Sequence, residues 1–182
     1  MYLEMKRTAI LLCDGKTAEE ILELSVNENI YQLDKEKRRR SMPLKMTKRL
    51  SFISANLIQA LADSPTDKGK LIAFLAMMKS ERLVGEYMLD VYANKMDFDE
   101  ITDLDFMQFA DRLATNSETV ANWKADTLKD LHSKIKNILC DAGLAKRTKK
   151  AVMVQKAMVD DDFRQLLDED DWLFAKAMLL EV

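Results

Sequence analysis

Two clusters of basic residues have the types and spacing needed to contact a phosphate backbone. Between residues 35 and 49 the chain carries eight lysines and arginines against one acidic residue, Glu36. Between residues 146 and 156 it carries five basic residues and no acidic one. Nucleic-acid backbones attract such clusters through the release of condensed counterions, independently of base sequence. The candidate contacts are Lys35, Lys37, Arg38, Arg39, Arg40, Lys45, Lys48 and Arg49 in the first cluster and Lys146, Arg147, Lys149 and Lys150 in the second.

The net charge of −3 conceals this segregation of charge along the chain. A solvated surface that is balanced by acidic loops and tails would give the same pattern. On charge alone, the two interpretations have equal weight. The position of the clusters relative to the predicted helices therefore decides between them.

Residues that perform catalysis or hold metals are sparse. His132 is the only histidine, and it lies within a helical pattern rather than in a loop near a nucleophile. The tripeptide Gly15-Lys16-Thr17 lacks the earlier glycine of a phosphate-binding loop. Cys13 and Cys140 have no partner at metal-ligand spacing and are expected to be buried thiols. We therefore predict no catalytic residue, no metal and no cofactor.

The composition predicts an all-α protein. Only 4 glycines and 2 prolines occur in 182 residues, and the evenly spaced β-branched segments of an all-β protein are missing. We expect a compact globular helical bundle in a single domain, 1–182, with a division into subdomains 1–65 and 66–182 as an alternative. The N-terminus does not resemble a signal peptide, and the apolar stretches are too short to span a bilayer. These features predict a cytoplasmic protein that does not enter membranes, with a monomer favoured.

Helix signals in the first part of the chain surround the first basic cluster. Thr17 and Glu20 have the spacing of a capping box, which predicts a short helix from Thr17. Pro43 disfavours helical geometry at Met42, so a second helix should begin near Pro43. Its apolar residues recur every three or four positions as far as Leu61.

Helix signals in the remaining chain surround the second cluster. Segments 70–79 and 83–92 are predicted core helices. Thr102 or Asp103 can cap the helix that follows them, and Ser117 can cap a brief helix after that one. A helix capped at Thr127 should end at Gly143, and a short β-hairpin is allowed near 145–155. The acidic runs 160–162 and 168–171 lack the spacing of a calcium loop and suit helix N-termini.

Both basic clusters therefore lie beside predicted helix-turn-helix elements. The first follows a capped helix and a turn, and the second follows an amphipathic helix and precedes a hairpin. These arrangements are similar to helix-turn-helix and winged-helix modules, in which a helix enters the major groove and flanking cations hold phosphates.

Several segments together resemble the BrxA family of bacteriophage exclusion (BREX) defence systems. They are residues 11–22 (LLCDGKTAEEIL), Lys48-Arg49-Leu50, and residues 123–129 (WKADTLK) running on to 138–144 (ILCDAGL). The resemblance implies an all-helical protein that binds DNA, has no activity of its own, and works with a methyltransferase and an ATPase. It also implies DNA contacts near Lys48 and Arg49 and along the helix after Trp123, where Lys134 and Lys136 are candidates. Around the hairpin the resemblance leads us to expect an apolar residue and a proline, and this sequence has Ala145 and Lys156-Ala157 instead.

Two other functions remain open at this stage. An RNA-binding helical bundle would use the same cations, and a preference for duplex DNA over structured RNA separates the two. A protein-protein adaptor would dock a partner on the acidic tail and the apolar helix at 172–180.

Overall fold

The computed structural model of the protein describes residues 1–149 and 151–179 and is dominated by helices. This confirms the all-α prediction and the short hairpin. The helices are α1 (Tyr2–Cys13), α2 (Ala18–Asn27), α3 (Glu36–Leu50), α4 (Ala55–Asp63), α5 (Thr66–Ser80), α6 (Arg82–Asp90), α7 (Asp103–Ala114), α8 (Glu118–Ala121), α9 (Ala125–Ala142), α10 (Asp161–Gln165) and α11 (Glu169–Met178). A 3₁₀ turn covers Tyr92–Asn94, and strands β1 (Ala145–Arg147) and β2 (Val152–Val154) pair antiparallel.

Residue contacts divide the described chain into two compact units. The first contains residues 1–81 and 160–171, and the second contains residues 82–159 and the described residues from 172 onward. Helix α11 begins in the first unit and continues in the second. The division into subdomains 1–65 and 66–182 stays a prediction. The turn at residue 65 lies within the first unit.

Helix α5 forms the centre of the first unit. Every residue from Leu71 to Met78 is buried, so this helix is apolar on all sides, and α1, α3 and α4 pack against it. Lys79 at its end forms a 2.6 Å ion pair with Asp171, whose side chain is fully buried. Asp171 also exchanges reciprocal hydrogen bonds with Asp168 at the start of α11. The acidic tail therefore caps a helix, as expected, but it does so partly from within the core.

Local signals for helix ends are confirmed at Thr17, Thr102 and Gly143, whereas the cap predicted at Thr127 is wrong. Thr17 and Glu20 make both hydrogen bonds of a capping box, and Thr102 makes the same pair with Asp105. Gly143 adopts a left-handed conformation with φ of 79° after the last turn of α9. Each confirmed signal depends only on residues close in sequence, and the local hydrogen bonds or backbone conformation that it predicts are present in the structure.

The predicted start of the second helix at Pro43 is wrong, because α3 begins at Glu36 and contains Pro43 in its interior. Proline has no N–H, so the carbonyl of Arg39, four residues earlier, has no partner within the helix. The hydroxyl of Ser25 in α2 donates a 2.7 Å hydrogen bond to that carbonyl. Ser25 is fully buried, and its bond compensates for the missing donor.

Three further expectations are corrected. The apolar pattern from Met46 to Leu61 does not form one helix, because Ser54 caps a separate helix, α4. Helix α9 begins at Ala125 rather than at Thr127. Neither cysteine is buried, because Cys13 is exposed at the end of α1 and Cys140 is half-buried.

The second unit joins helices to a small sheet. Ile101 donates its N–H to the carbonyl of Val152, and Val154 donates to the carbonyl of Asp99, so the segment 98–101 runs beside β2. The hydroxyl of Tyr92 donates a 2.6 Å bond to the carbonyl of Leu144, between α9 and β1. These contacts fix the hairpin against the body of the unit. Within residues 1–149 and 151–179, no helix is both long enough and apolar enough to cross a bilayer.

The Ser25 hydrogen bond predicts a non-additive pair of substitutions. Ser25→Ala should lower the free energy of unfolding by about 1 to 2 kcal/mol, because the Arg39 carbonyl loses its donor. In a Pro43→Ala background the same change should cost clearly less, since the substituted alanine has an N–H that can bond the carbonyl within the helix. Urea unfolding of the four proteins measures the coupling, and equal losses in both backgrounds would contradict this account.

Candidate nucleic-acid interface

The outer face of α3 carries most of the first basic cluster. Its inner face buries Pro43, Met46, Arg49 and Leu50. At about 100° per residue, Lys37, Ser41, Leu44 and Lys48 lie within about 60° of one another on the opposite face. These residues are exposed, and so are Lys35, Arg38, Arg40 and Lys45. The sequence therefore forms a helix with one buried apolar face and one solvated cationic face, which we call the α3 basic face; it comprises Lys37, Arg38, Arg40, Lys45 and Lys48.

Where cations of the α3 basic face pair with carboxylates, the ion pairs are exposed and weak. Arg40 pairs with Glu36 at 2.8 Å, but both side chains are more than half exposed. Lys45 lies 3.7 Å from Glu81, again with both groups exposed. Exposed ion pairs of this kind contribute about 0 to 1 kcal/mol, so a phosphate can replace the carboxylate at little cost.

Two arginines of the first cluster have internal roles instead. Arg39 is half-buried and donates from Nε to the carbonyl of Leu33 at 2.8 Å, which closes the turn before α3. Arg49 is 5% exposed, and its Nη2 lies 2.9 Å from Glu81 Oε1. This burial argues against the expectation that Arg49 contacts DNA. Its position places it on the inner face of α3 with Met46 and Leu50, and the guanidinium is held by the carboxylate.

The second cluster lies on the hairpin that follows α9. Lys146 and Arg147 belong to β1, and both are exposed, as is Lys149 in the turn. The Nη2 of Arg147 donates a 2.6 Å bond to Asn137 of α9, which fixes the arginine beside that helix. Lys150 lies outside the residues that the structure describes.

Lys156, the last cation counted in the second cluster, faces inward. Its ammonium donates to the backbone carbonyls of Tyr92 and Ala177 and lies 4.5 Å from the centre of the Tyr92 ring. Counting charges along the sequence therefore overestimates the cations available on this hairpin.

Beside the hairpin is an open polar cleft of about 500 Å³. Its lining mixes charges of both signs, with Lys136, Arg147 and Lys149 facing Glu100 and Asp103. Lys136 is already paired with Asp103 at 3.2 Å and is only 22% exposed. Of the two candidates on α9, Lys134 is therefore the exposed one.

The exposed face of α9 is not basic. It carries Asp126, Asp130 and Asp141 against Lys129 and Lys134, so three negative charges outweigh two positive ones. A phosphate backbone is repelled by the excess carboxylate charge. The α3 basic face is therefore electrostatically better suited to phosphates than the face of α9.

His132 of α9 is part of the core rather than of a reactive site. Its ring stacks on Phe106 with centroids 5.0 Å apart, and Nδ1 lies 3.0 Å from Asp103. Its Nε2 is buried without a hydrogen-bond partner in the described part of the chain. Burial lowers the pKa of His132, and the nearby ammonium of Lys136 lowers it further, against the opposing effect of Asp103. Among the described residues, no group of three or more His, Cys, Asp or Glu side chains is arranged to hold a metal ion.

Comparisons with known proteins agree with one another across almost the whole chain. A family model described as BrxA matches residues 1–171. A protein of Bacillus cereus (strain H3081.97) described as "BREX protein BrxA" is 31% identical over 164 residues, which cover 89% of this chain and 82% of that protein. A crystal structure of an uncharacterized protein from Magnetospirillum magneticum superposes with a TM-score of 0.77 and 20% identity, over 97% of this chain and 91% of that one. This last likeness concerns the fold alone.

The contrast between Arg49 and Lys48 predicts different effects on stability. Arg49→Ala should lower the free energy of unfolding by about 2 kcal/mol, because it removes a buried side chain and leaves Glu81, itself partly solvated, with only the more distant Lys45 as a partner. Lys48→Ala, the matched control at the neighbouring exposed position, should change it by less than about 0.5 kcal/mol. Chemical denaturation checks both values, and similar losses for the two variants would show that Arg49 is not a structural residue.

The environment of His132 predicts a specific pH dependence of stability. Because the folded-state pKa is lowered, the unfolded chain binds the proton more readily, and stability should fall as the pH drops below about 6.5. The loss should end once the pH is below the folded-state pKa. In His132→Gln this component should be absent, so the difference in urea midpoint between the two proteins should change between pH 7.5 and 5.5. A constant difference would contradict the buried neutral imidazole.

Proposed function

Because the chain belongs to the BrxA family, and thereby to the BREX defence systems, we propose that it is a non-enzymatic component that binds duplex DNA. The observation that carries the proposal is the α3 basic face. It presents five exposed cations on one continuous helix of 15 residues.

The dimensions of α3 suit the major groove. A helix of 15 residues is about 22 Å long, and the major groove is about 12 Å wide, enough to admit one helix with its side chains. Helix α2 makes its most extensive contacts with α3, which supports the interpretation of the pair as a helix-turn-helix unit. We infer that α3 is the helix that enters the groove, with all five cations of the α3 basic face as phosphate contacts.

The second unit supports a secondary contact. The order of its elements from α7 to β2, with the segment 98–101 paired to β2, is similar to that of a winged-helix module. In such a module Lys146, Arg147 and Lys149 of the hairpin would reach phosphates beside the groove. Since the exposed face of α9 is net acidic, we rank this contact below the one made by α3.

The same geometry favours DNA over RNA. The major groove of an A-form RNA helix is deep and narrow, and a helix such as α3 does not fit into it. We further infer that the protein acts in the cytoplasm as a monomer, alongside other BREX components such as the methyltransferase and the ATPase. A role limited to protein-protein contact is the rival, and the absence of DNA binding would favour it.

A charge-reversal experiment tests the proposal. Lys37→Glu/Lys48→Glu should weaken binding to a labelled DNA duplex at least about tenfold near 0.1 M salt, and should reduce the slope of log K against log salt by roughly 2. The matched control is Lys16→Glu/Lys176→Glu, which makes the same change in net charge at exposed lysines outside both clusters. The corresponding hairpin variant, Lys146→Glu/Arg147→Glu/Lys149→Glu, should have a smaller effect per charge.

Three results would count against the proposal. Equal weakening in the control would mean that only net charge matters. Stronger binding to a structured RNA stem than to duplex DNA would favour the RNA-binding alternative. No binding by the wild type even at low salt would exclude the DNA interface.

A further inference from the structure

Leu44 occupies an unusual position at the centre of the α3 basic face. Its side chain is 55% exposed. Lys37, Arg40 and Lys48 surround it at helical spacings of seven, four and four residues. An isolated exposed leucine is ordinary on a protein surface, but one enclosed by cations pairs poorly with an apolar protein partner. The ligand that suits this position is a polyanion that also presents a small apolar group.

The outward face of α3 contains two uncharged residues between two lysines. On a helical wheel, the direction opposite to the buried residues lies within about 10° of Lys37 and Lys48, near the two ends of the helix, and within about 30° of Ser41 and Leu44 between them. Arg38, Arg40 and Lys45 project about 70° to 90° to either side of that direction. When a helix lies in the major groove, its central residues face the base edges and its flanking residues face the two sugar-phosphate backbones.

We propose that Leu44 contacts the C5-methyl group of thymine and so determines a preference for sites that contain thymine. This inference rests on the proposed DNA interface. This methyl group is the apolar feature that the four bases of DNA present in the major groove. The surrounding cations hold the phosphates and leave the leucine as the apolar reader at the centre. Ser41, one turn earlier, is placed to bond a neighbouring base edge.

The expected size of the effect follows from the area involved. Burying one methyl group against a leucine changes a binding constant by about fourfold. This effect is small compared with the contribution of the phosphates. Leu44 would therefore influence selectivity while leaving most of the affinity unchanged.

The test compares two duplexes that differ only in this methyl group. One is a non-repetitive duplex of about 20 A·T base pairs, and the other has deoxyuridine at every thymidine. Affinities for both are measured for the wild type, Leu44→Ala and Leu44→Gln, so that Leu44 is replaced once by a smaller and once by a polar side chain. Leu3→Ala, which changes a 73% exposed leucine in α1 away from the α3 basic face, is the matched control.

The wild type and the Leu3→Ala control should bind the thymine duplex about fourfold more tightly than the uracil duplex. Both Leu44 variants should bind the two duplexes equally, at the affinity that the wild type shows for uracil DNA. Far-ultraviolet circular dichroism of each variant verifies that α3 is intact.

The remaining outcomes separate this inference from the proposed function. If the wild type binds both duplexes equally, and Lys37→Glu/Lys48→Glu still weakens binding, the role of Leu44 is wrong and the DNA interface stands. If the Leu44 variants still discriminate against uracil, another residue or the shape of the duplex reads the methyl group, and the inference is also wrong. If the wild type binds neither duplex at low salt, both proposals fail.

Discussion

The hydrogen bond from Ser25 to the carbonyl of Arg39 is the constraint on which the basic helix depends. Pro43 removes a donor from the middle of α3, and an unpaired carbonyl would favour a kink or an end to the helix at that point. The buried hydroxyl of α2 supplies the donor and ties the two helices together. As a result α3 continues to Leu50, and Lys37 and Lys48 lie on one face about 16 Å apart along a single rigid axis.

The features that could be predicted from sequence are those that depend on neighbouring residues. The capping box at Thr17 and the left-handed glycine at 143 are recognisable from a few residues. The path of α3 is not, because the donor that tolerates Pro43 lies on another helix, and no local rule reveals it. Helix α1 is not predicted for a related reason, since it has no side-chain cap and buries mainly Met5, Thr8 and Ala9. Tertiary contacts, rather than propensity, define that element.

The candidate site shows the same limit at the level of single residues. A count of charges treats Lys48 and Arg49 alike, although one rotation of about 100° puts the first in solvent and the second in the core. A signal was present, because Arg49 follows Met46 by three residues and precedes Leu50, so it belongs to the apolar pattern. The phase of that pattern does not depend on whether the helix begins at Glu36 or at Pro43. A helical wheel would therefore have placed Arg49 on the buried face, whereas a count of charges could not.

In the proposed interface, the face of α3 assigns affinity and selectivity to different contacts. Contacts from lysines and arginines to phosphates act at long range and without regard to base sequence, so these contacts cannot distinguish one duplex from another. In the proposed interface, Ser41 and Leu44 contribute little to attraction, and they face the base edges together with Lys37 and Lys48 at either end. On α9 the corresponding central positions include Asp130 and Asn137, and the carboxylates there oppose close approach to a phosphate backbone. A helix must first be attracted to the duplex before its central residues can discriminate, and in the proposed interface α3 is the helix that meets both conditions.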